Sequence, residues 1–531
     1  MLRAVIEKKG DGLGHQPSKE VMGSATSQAK GGLEENEPLE EQAETDPPSD
    51  WTPRDRVAAL AVTLVAAAVR FVRLASPNTL VFDETYYAKD ACWYVNVSST
   101  ICDTSSEISQ VHPPLAKWLI AVGIRLFGND AFGWRVTAAI AGTVGVLLLY
   151  LLARKLLRST MGATFASGLL AIDFLHFVQS RTSMLDIFAV TFGTAAVLFV
   201  VYDRERLLRG GPPDKGPLDR PWRIAAGAAG GAAAACKWSG AFFLLLVIVL
   251  TISWEISARR RKGASFLSAV GSTLANELLT IVMWLVLLPL AVYTFTYLGR
   301  LEPGDDSWFK ALWDRHKYMY DFHTNLESHH SYESPAWSWL LLKRPVSYFF
   351  ETDTQGRYKE IFATGNPFVW WPAALAVLYA AYRWVKDRNL ASPEGIIVGG
   401  FIATYLVWLP LSFTGRSATF IFYFLPAVPF LCLALGYMAT RIGNSWEAKA
   451  AIALFSVGAI GLFAFYYPLL AETALPKRDW NKRIWKFDNC EPADPVRTIV
   501  TVTETNAGKL KTRTKQSSSN ESLPPPGWCW I

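Results

Sequence analysis

The sequence predicts an all-α polytopic membrane protein, and three observations carry that reading. Apolar residues make up 51% of the 531 positions and charged residues only 18%, whereas soluble domains hold about 45–50% and about 25%. Apolar runs repeatedly approach the ~20 residues a helix needs to cross a bilayer, and many end in Trp or Tyr. None of these runs alternates polar with apolar residues, as the strands of a membrane β-barrel would.

Residues 1–50 are acidic, rich in Glu, Gly, Ser and Pro, and poor in aromatics. Such a segment cannot bury enough apolar surface to offset its chain entropy, so residues 1–55 are expected to be a disordered cytoplasmic tail. The apolar core and cleavage site of a signal peptide are missing from it. Eleven spans are expected after it, at 57–74, 134–153, 160–178, 185–203, 222–236, 239–257, 272–298, 367–386, 395–412, 417–440 and 449–468. Around Cys236-Lys237-Trp238 the pattern fits either two spans or one broken helix.

Basic clusters orient this path, because Lys and Arg are retained on the cytoplasmic side. Arg154-Lys155 with Arg158, Arg204 to Arg209, Arg259-Arg260-Arg261-Lys262, and Arg383 to Arg388 each follow an even-numbered span. The N-terminus is therefore expected inside and the C-terminus outside. The organisation that results is a membrane module at 56–298 with a first outer loop at 75–133, a second outer loop at 299–366, a C-terminal membrane module at 367–468 and an outer tail at 469–531. Cys92 and Cys102 share the first outer loop, and Cys490 and Cys529 share the tail. Those are the natural disulfide pairs in an oxidising compartment, although four cysteines allow three connectivities.

The long outer segments point to chemistry on the outer face. Phe82-Asp83-Glu84 follows the first span directly, and an aspartate of ordinary pKa, about 3.9, is already a carboxylate able to accept a proton at neutral pH. Farther along that loop, Leu115, Leu119, Val122 and Leu126 repeat at helical spacing after His112-Pro113-Pro114, with Lys117 and Arg125 off the stripe. This pattern predicts a helix lying in the membrane interface, with Trp118 at headgroup depth. The second outer loop mixes Trp308, Trp313, Trp337 and Trp339 with Tyr318, Tyr320, Tyr332 and Tyr348, and adds His329-His330 and Lys343-Arg344-Pro345. Aromatics with a few cations suit sugar stacking or interfacial anchoring. The histidine pair lacks the neighbouring ligands of a zinc motif.

Cations expected near the outer face are Arg70, Arg73, Arg135, Arg181, Lys237 and Arg416. A charge at membrane depth costs about 2.5–3.5 kcal/mol, so each needs a partner, and a phosphate is one candidate. Asp186 near Arg181 reads either as part of the site or as half of a structural ion pair.

Taken together, Arg70, Phe82-Asp83-Glu84-Thr85-Tyr86, His112-Pro113-Pro114-Leu115-Ala116-Lys117, Arg135, Cys236-Lys237-Trp238, and the stretch from His330-Ser331-Tyr332 to Arg344-Pro345 resemble protein O-mannosyltransferases. The resemblance spans residues 55 to 531 and is to the compact bacterial type, because the second outer loop is too short for a β-trefoil MIR domain. It implies the GT-C glycosyltransferase fold, a polyprenyl-phosphate-mannose donor, and Ser or Thr acceptors on secreted or membrane polypeptides, met at the extracytoplasmic face of the cell membrane and supplied in part by the Sec translocon. Nucleic acid is not an expected partner, and no cofactor or metal is expected.

The resemblance makes Asp83 the catalytic carboxylate, with Glu84 orienting the acceptor or its neighbours. Arg70, Arg135 and Lys237 are the expected phosphate ligands. His112, Lys117, Arg181, Asp186, Trp238, His330, Tyr332 and Arg416 are further candidates for the substrate site. A divalent ion held by the acidic pair, a related GT-C enzyme that modifies a lipid or cell-wall glycan, and a lipid-sugar transporter are the competing readings.

Overall fold

The computed structural model describes residues 51–96, 109–210, 219–298, 307–324, 332–387, 392–413, 419–443, 445–484, 498–506 and 509–517. The predicted tail at 1–50, Cys102, Cys490, Cys529, His329-His330 and Arg416 lie outside them. Helix α1 (Pro53–Phe71) starts at a capping box in which Thr52 and Asp55 satisfy each other's backbone amides. Next come α2 (Glu84–Val95), α3 (Leu115–Phe127), α4 (Ala131–Leu157), α5 (Thr160–Ala171), α6 (Phe174–Gln179) and α7 (Leu185–Gly210). Helices α8 (Pro221–Cys236), α9 (Ala241–Arg261), α10 (Phe266–Ile281), α11 (Leu288–Phe295) and α12 (Trp308–Thr324) follow.

The remaining chain holds α13 (Ala336–Trp339), strands β1 (Val346–Thr352) and β2 (Tyr358–Ala363), then α14 (Pro367–Asp387), α15 (Pro393–Thr404), α16 (Val428–Arg441), α17 (Trp446–Leu470) and α18 (Lys477–Asn481). It ends in β3 (Thr498–Asn506) and β4 (Lys509–Ser517). Each strand pair is antiparallel, so the expected all-α fold carries two β-hairpins.

Where they are described, the predicted spans fall largely on helix, the run at 417–440 beginning outside the described residues; among the described residues six helices are long and apolar enough to cross a membrane. The run at 160–178 is not continuous. It breaks at Asp173, whose carboxylate accepts His176 N at 2.9 Å as the N-cap of α6 and Trp370 Nε1 at 2.7 Å. Between α10 and α11, Pro289 has no N–H to continue the α-ladder, and Val282–Leu287 winds as a π-helix.

Around Lys237 the structure has two helices joined by a sharp turn. Lys237 is fully extended between them (φ −158°, ψ 142°), and a Cβ on Gly240 would lie 2.1 Å from the Ala233 carbonyl oxygen. Only glycine lets the chain fold back so closely.

The first outer loop folds as predicted into a helix from Leu115, but its faces differ from expectation. Ala116, Lys117, Ile120, Gly123 and Ile124 turn toward the protein, while Val122 and Leu126 line an apolar groove of about 330 Å³ against Tyr94 and Val95 of α2. Lys117 lies on the buried face because it has a buried partner. Its Nζ meets Asp90 Oδ2 at 2.6 Å and the Ser109 carbonyl at 2.6 Å, tying α2 to α3, so it is a structural residue and not part of the substrate site.

A second tie fixes this loop to the bundle. Glu84 is fully buried and accepts Arg135 Nε and Nη2 (both 2.8 Å), Val81 N (3.0 Å), and the Ser183 amide and hydroxyl (2.9 and 3.2 Å). Arg135 spends its other donors on the carbonyls of Leu74 (3.3 Å), Pro77 (2.9 Å) and Thr79 (2.9 Å). All five guanidinium N–H groups are thus used inside the protein. Arg135 has no donor left for a phosphate, and Glu84 has no lone pair facing an acceptor; both expectations are corrected to structural roles.

The hairpin β1–β2 packs beside the start of the outer tail. Leu475 pairs with Tyr358, and Trp480 Nε1 donates to Glu360 Oε2 at 2.7 Å. Burial pushes the Glu360 carboxyl from 4.5 up to about 7, with the Trp480 bond opposing.

Two expectations follow. Arg135→Ala leaves Glu84 as an unpaired buried charge and should cost about 3–5 kcal/mol, read as a lower unfolding temperature in detergent micelles. Because the Glu360 pKa is raised in the fold, its contribution is fully present below pH 4.5 and lost as pH rises through about 7. Glu360→Gln should therefore raise the unfolding temperature at pH 8 and leave it unchanged at pH 4; equal shifts at both pH values would refute this.

Candidate active site

Two of the cations expected at the site cap backbone instead. Arg70 is fully buried, with Nη1 on the Ala66 and Ala171 carbonyls (3.1 and 3.2 Å) and Nη2 on His176 Nδ1 (2.9 Å). It sits among α1, α5 and α6, which removes it from the phosphate ligands. Arg181 donates to the carbonyls of Val69, Arg70, Val72 and Arg73, satisfying the oxygens that the end of α1 leaves without amides. It does not pair with Asp186.

Asp186 pairs with Lys237. The Lys237 Nζ lies 2.8 and 2.9 Å from the two Asp186 oxygens, 4.8 Å from the Tyr423 ring centroid and 5.6 Å from that of Phe422. This buried pair stands beside Asp83, whose field it shapes from both signs. Of the expected phosphate ligands, Lys237 alone is brought to the acidic residue.

Asp83 occupies the N-cap position of α2 yet makes no capping bond. Its neighbours Phe82 and Glu84 point into the protein, so its carboxylate is the one of the acidic pair that stays available. Tyr87 donates to Asp83 Oδ2 at 3.3 Å. Burial pushes the Asp83 carboxyl from 3.8 up to about 6; Lys237 pulls it down, Asp186 pushes it up and the Tyr87 bond pulls it down. A carboxylate of raised pKa, partly open and next to a cation, is suited to take a proton from a weakly acidic hydroxyl.

The outer wall of the site comes from three distant segments. His112 packs on Tyr87 (ring centroids 5.9 Å) and on His323 of α12 (5.2 Å). Burial, then Lys237, His323 and Lys117, hold its imidazole well below the ordinary pKa, so it is neutral. His323 reaches back to the Val111 carbonyl at 2.8 Å and packs 5.9 Å from Trp238. Trp238 stacks on His316 (6.3 Å), and its Nε1 donates to Tyr293 at 2.9 Å. Since His316 Nδ1 faces the Leu312 carbonyl (2.7 Å), its Nε2 is the acceptor and Tyr293 the donor across their 2.8 Å contact.

The two α12 histidines were not among the residues the sequence singled out. Their spacing of seven, which puts both on one face of a helix, was the available signal. Tyr332 is buried, close enough to Arg344 to act on its charge. Cys92 is disulfide-bonded, and Cys236 and Cys432 are buried free thiols.

Known proteins share this chain's sequence and fold. The family model described as dolichyl-phosphate-mannose-protein mannosyltransferase matches residues 60–300, and that for the C-terminal four-transmembrane region of protein-O-mannosyltransferase matches 308–488. The polyprenol-phosphate-mannose--protein mannosyltransferase of Mycolicibacterium smegmatis is 31% identical over 495 residues, covering 83% of this chain and 94% of its own. That of Mycobacterium tuberculosis is 30% identical over 496 residues, covering 83% and 93%. Among solved structures, the S. cerevisiae protein O-mannosyltransferase Pmt1-Pmt2 complex bound to the sugar donor shares the fold, with a TM-score of 0.67 over 84% of this chain and 94% of that one at 15% identity. The chain belongs to the dolichyl-phosphate-mannose-protein mannosyltransferase family, multi-pass membrane enzymes with the GT-C fold.

Proposed function

We propose that the chain transfers mannose from a polyprenyl-phosphate-mannose donor to Ser or Thr hydroxyls of polypeptides at the extracytoplasmic face of the cell membrane, with chains crossing through the Sec translocon among its acceptors. The carrying observation is that Asp83 is the one open carboxylate of the acidic pair, poised at about 6 beside Lys237. The names of the relatives at about 30% identity supply the sugar and the acceptor class.

In this mechanism the hydroxyl oxygen attacks the anomeric carbon from the face opposite the phosphate. The new C–O bond forms as the bond to the phosphate oxygen breaks, and the configuration inverts. Asp83 takes the hydroxyl proton, and the electron pair of the broken bond leaves on the polyprenyl phosphate. Lys237 is positioned to meet that developing charge, with its ammonium held by Asp186 and two aromatic faces.

The reaction is proposed to need no metal. A chelating role for the acidic pair would require both carboxylates to face one point, and Glu84 has both oxygens committed to Arg135, Val81 and Ser183. Among the described residues, no group of three or more His, Cys, Asp or Glu is placed to hold an ion.

Membranes given polyprenyl-phosphate-mannose and a Ser/Thr-rich peptide should mannosylate the peptide, and Asp83→Asn should lower the rate by about 10²–10⁴. The carboxylate is the active form, so the rate should fall as pH drops through about 6. Activity should survive a chelator. Transfer to lipid alone, or full activity in Asp83→Asn, would overturn the reading.

A further inference from the structure

Phe82, directly before the proposed base, has φ +45°, a left-handed conformation that costs an aromatic residue on the order of 1–3 kcal/mol unless its surroundings hold it. What surrounds it is specific. Its ring lies flat on Tyr348 of β1, with centroids 4.3 Å apart and planes 5° from parallel, and it meets the edge of Phe422 at 5.7 Å. Tyr348 is buried and itself fixed, since Gln179 Nε2 donates to its hydroxyl at 2.7 Å and its ring packs edge-on to Phe422 at 6.1 Å. Phe422 and Tyr423 are the aromatic faces under Lys237.

The turn that carries Asp83 is therefore held at both flanks. Glu84 anchors it to α4 and to Ser183, and Phe82 anchors it to the β1–β2 hairpin of the second outer loop. Offset stacking of aromatic rings contributes about 0.5–1.5 kcal/mol beyond area burial, comparable with the strain to be held.

Resting on the reading of Asp83 as the base, we infer that Phe82 and Tyr348 are positioning residues: their stack holds the Asp83 carboxylate where it can take the acceptor hydroxyl's proton and makes the β1–β2 hairpin part of the catalytic apparatus. Neither ring needs to touch the substrate for this. The stack fixes the backbone from which the Asp83 carboxylate projects, and a shift of about 1 Å at a reacting group is enough to cost about 10²-fold in rate.

The experiment compares Phe82→Ala, Tyr348→Ala, Tyr348→Phe and Asp83→Asn in the full-length membrane enzyme, with kcat, the donor KM and the pH profile as readouts. Phe82→Ala and Tyr348→Ala should each lower kcat by about 10²-fold with the donor KM unchanged, the pattern of an interaction used only in the transition state. Tyr348→Phe, which keeps the ring and loses only the Gln179 bond, should restore the rate.

The acidic limb of the rate profile should move from about 6 toward 4 in Phe82→Ala, because a loosened Asp83 gains solvent while Lys237, Asp186 and Tyr87 still face it. A smaller folded fraction would lower the rate without moving that limb. Should Tyr348→Ala fail to accumulate in the membrane, Phe82→Ala decides alone, since it leaves the hairpin intact. An unchanged kcat and limb in Phe82→Ala, or equal losses in Tyr348→Phe and Tyr348→Ala, would overturn the proposal while a dead Asp83→Asn leaves the base standing. An active Asp83→Asn would instead remove the base reading itself.

Discussion

The site depends on one buried ion pair, Glu84 with Arg135. Removing a carboxylate and a guanidinium from water costs several kcal/mol for each ion, and their attraction offsets this only when every remaining donor and lone pair is also satisfied. Here they are: three carbonyls of the segment 74–79 complete the guanidinium, and the Val81 and Ser183 groups complete the carboxylate. The pair thereby folds the segment after α1 onto α4 and onto Ser183 in the turn before α7. That fold separates the two adjacent acidic residues, Glu84 fully buried and paired and Asp83 left partly exposed.

Arg70 and Arg181 follow the same economy. Both cations are near the end of α1 and both bind backbone carbonyls, Arg181 those at the helix terminus and Arg70 those of Ala66 and Ala171. The charge that remains for chemistry is small: Lys237 balanced by Asp186, with Asp83 beside them. Burial acts most strongly on the Asp83 carboxyl and moves its pKa upward, while Lys237 and Asp186 act in opposite directions. If Asp83 is the proposed base, a carboxylate closer to neutrality takes up a proton more readily than an ordinary aspartate would.

The helices were legible in the sequence because hydropathy and length are local signals. So was the helix after Pro114, while the acidic pair Asp83-Glu84 stood out after the first run without showing which carboxylate would be buried. The roles of the arginines were not, since Arg135 and Arg181 are bound to groups 51 to 112 positions away. A cation near a membrane face looks the same in sequence whether it meets a phosphate or a carbonyl. Lys117 misled for a related reason: of the apolar stripe at 115, 119, 122 and 126, Val122 and Leu126 face the groove and Leu115 and Leu119 pack on the core, while the side carrying Lys117 is packed inward through an ion pair. The β1–β2 hairpin and the histidines of α12 were hidden in an aromatic-rich segment whose composition suited anchoring just as well.

The wall around Asp83 is drawn from the whole length of the membrane domain: the loop after α1, the start of α7, the α8–α9 turn, α12, β1 and the segment before α16. His323 closing on Val111 joins parts of the chain that leave the ribosome far apart in time. A growing chain that has inserted its first six helices already displays Asp83 but has neither the Tyr348 ring under Phe82 nor the α12 wall over Trp238. Chain order thus sets a timing: a half-made chain holds Asp83 without the rings and histidines that surround it, and that surrounding is complete only when nearly all of the chain has been made.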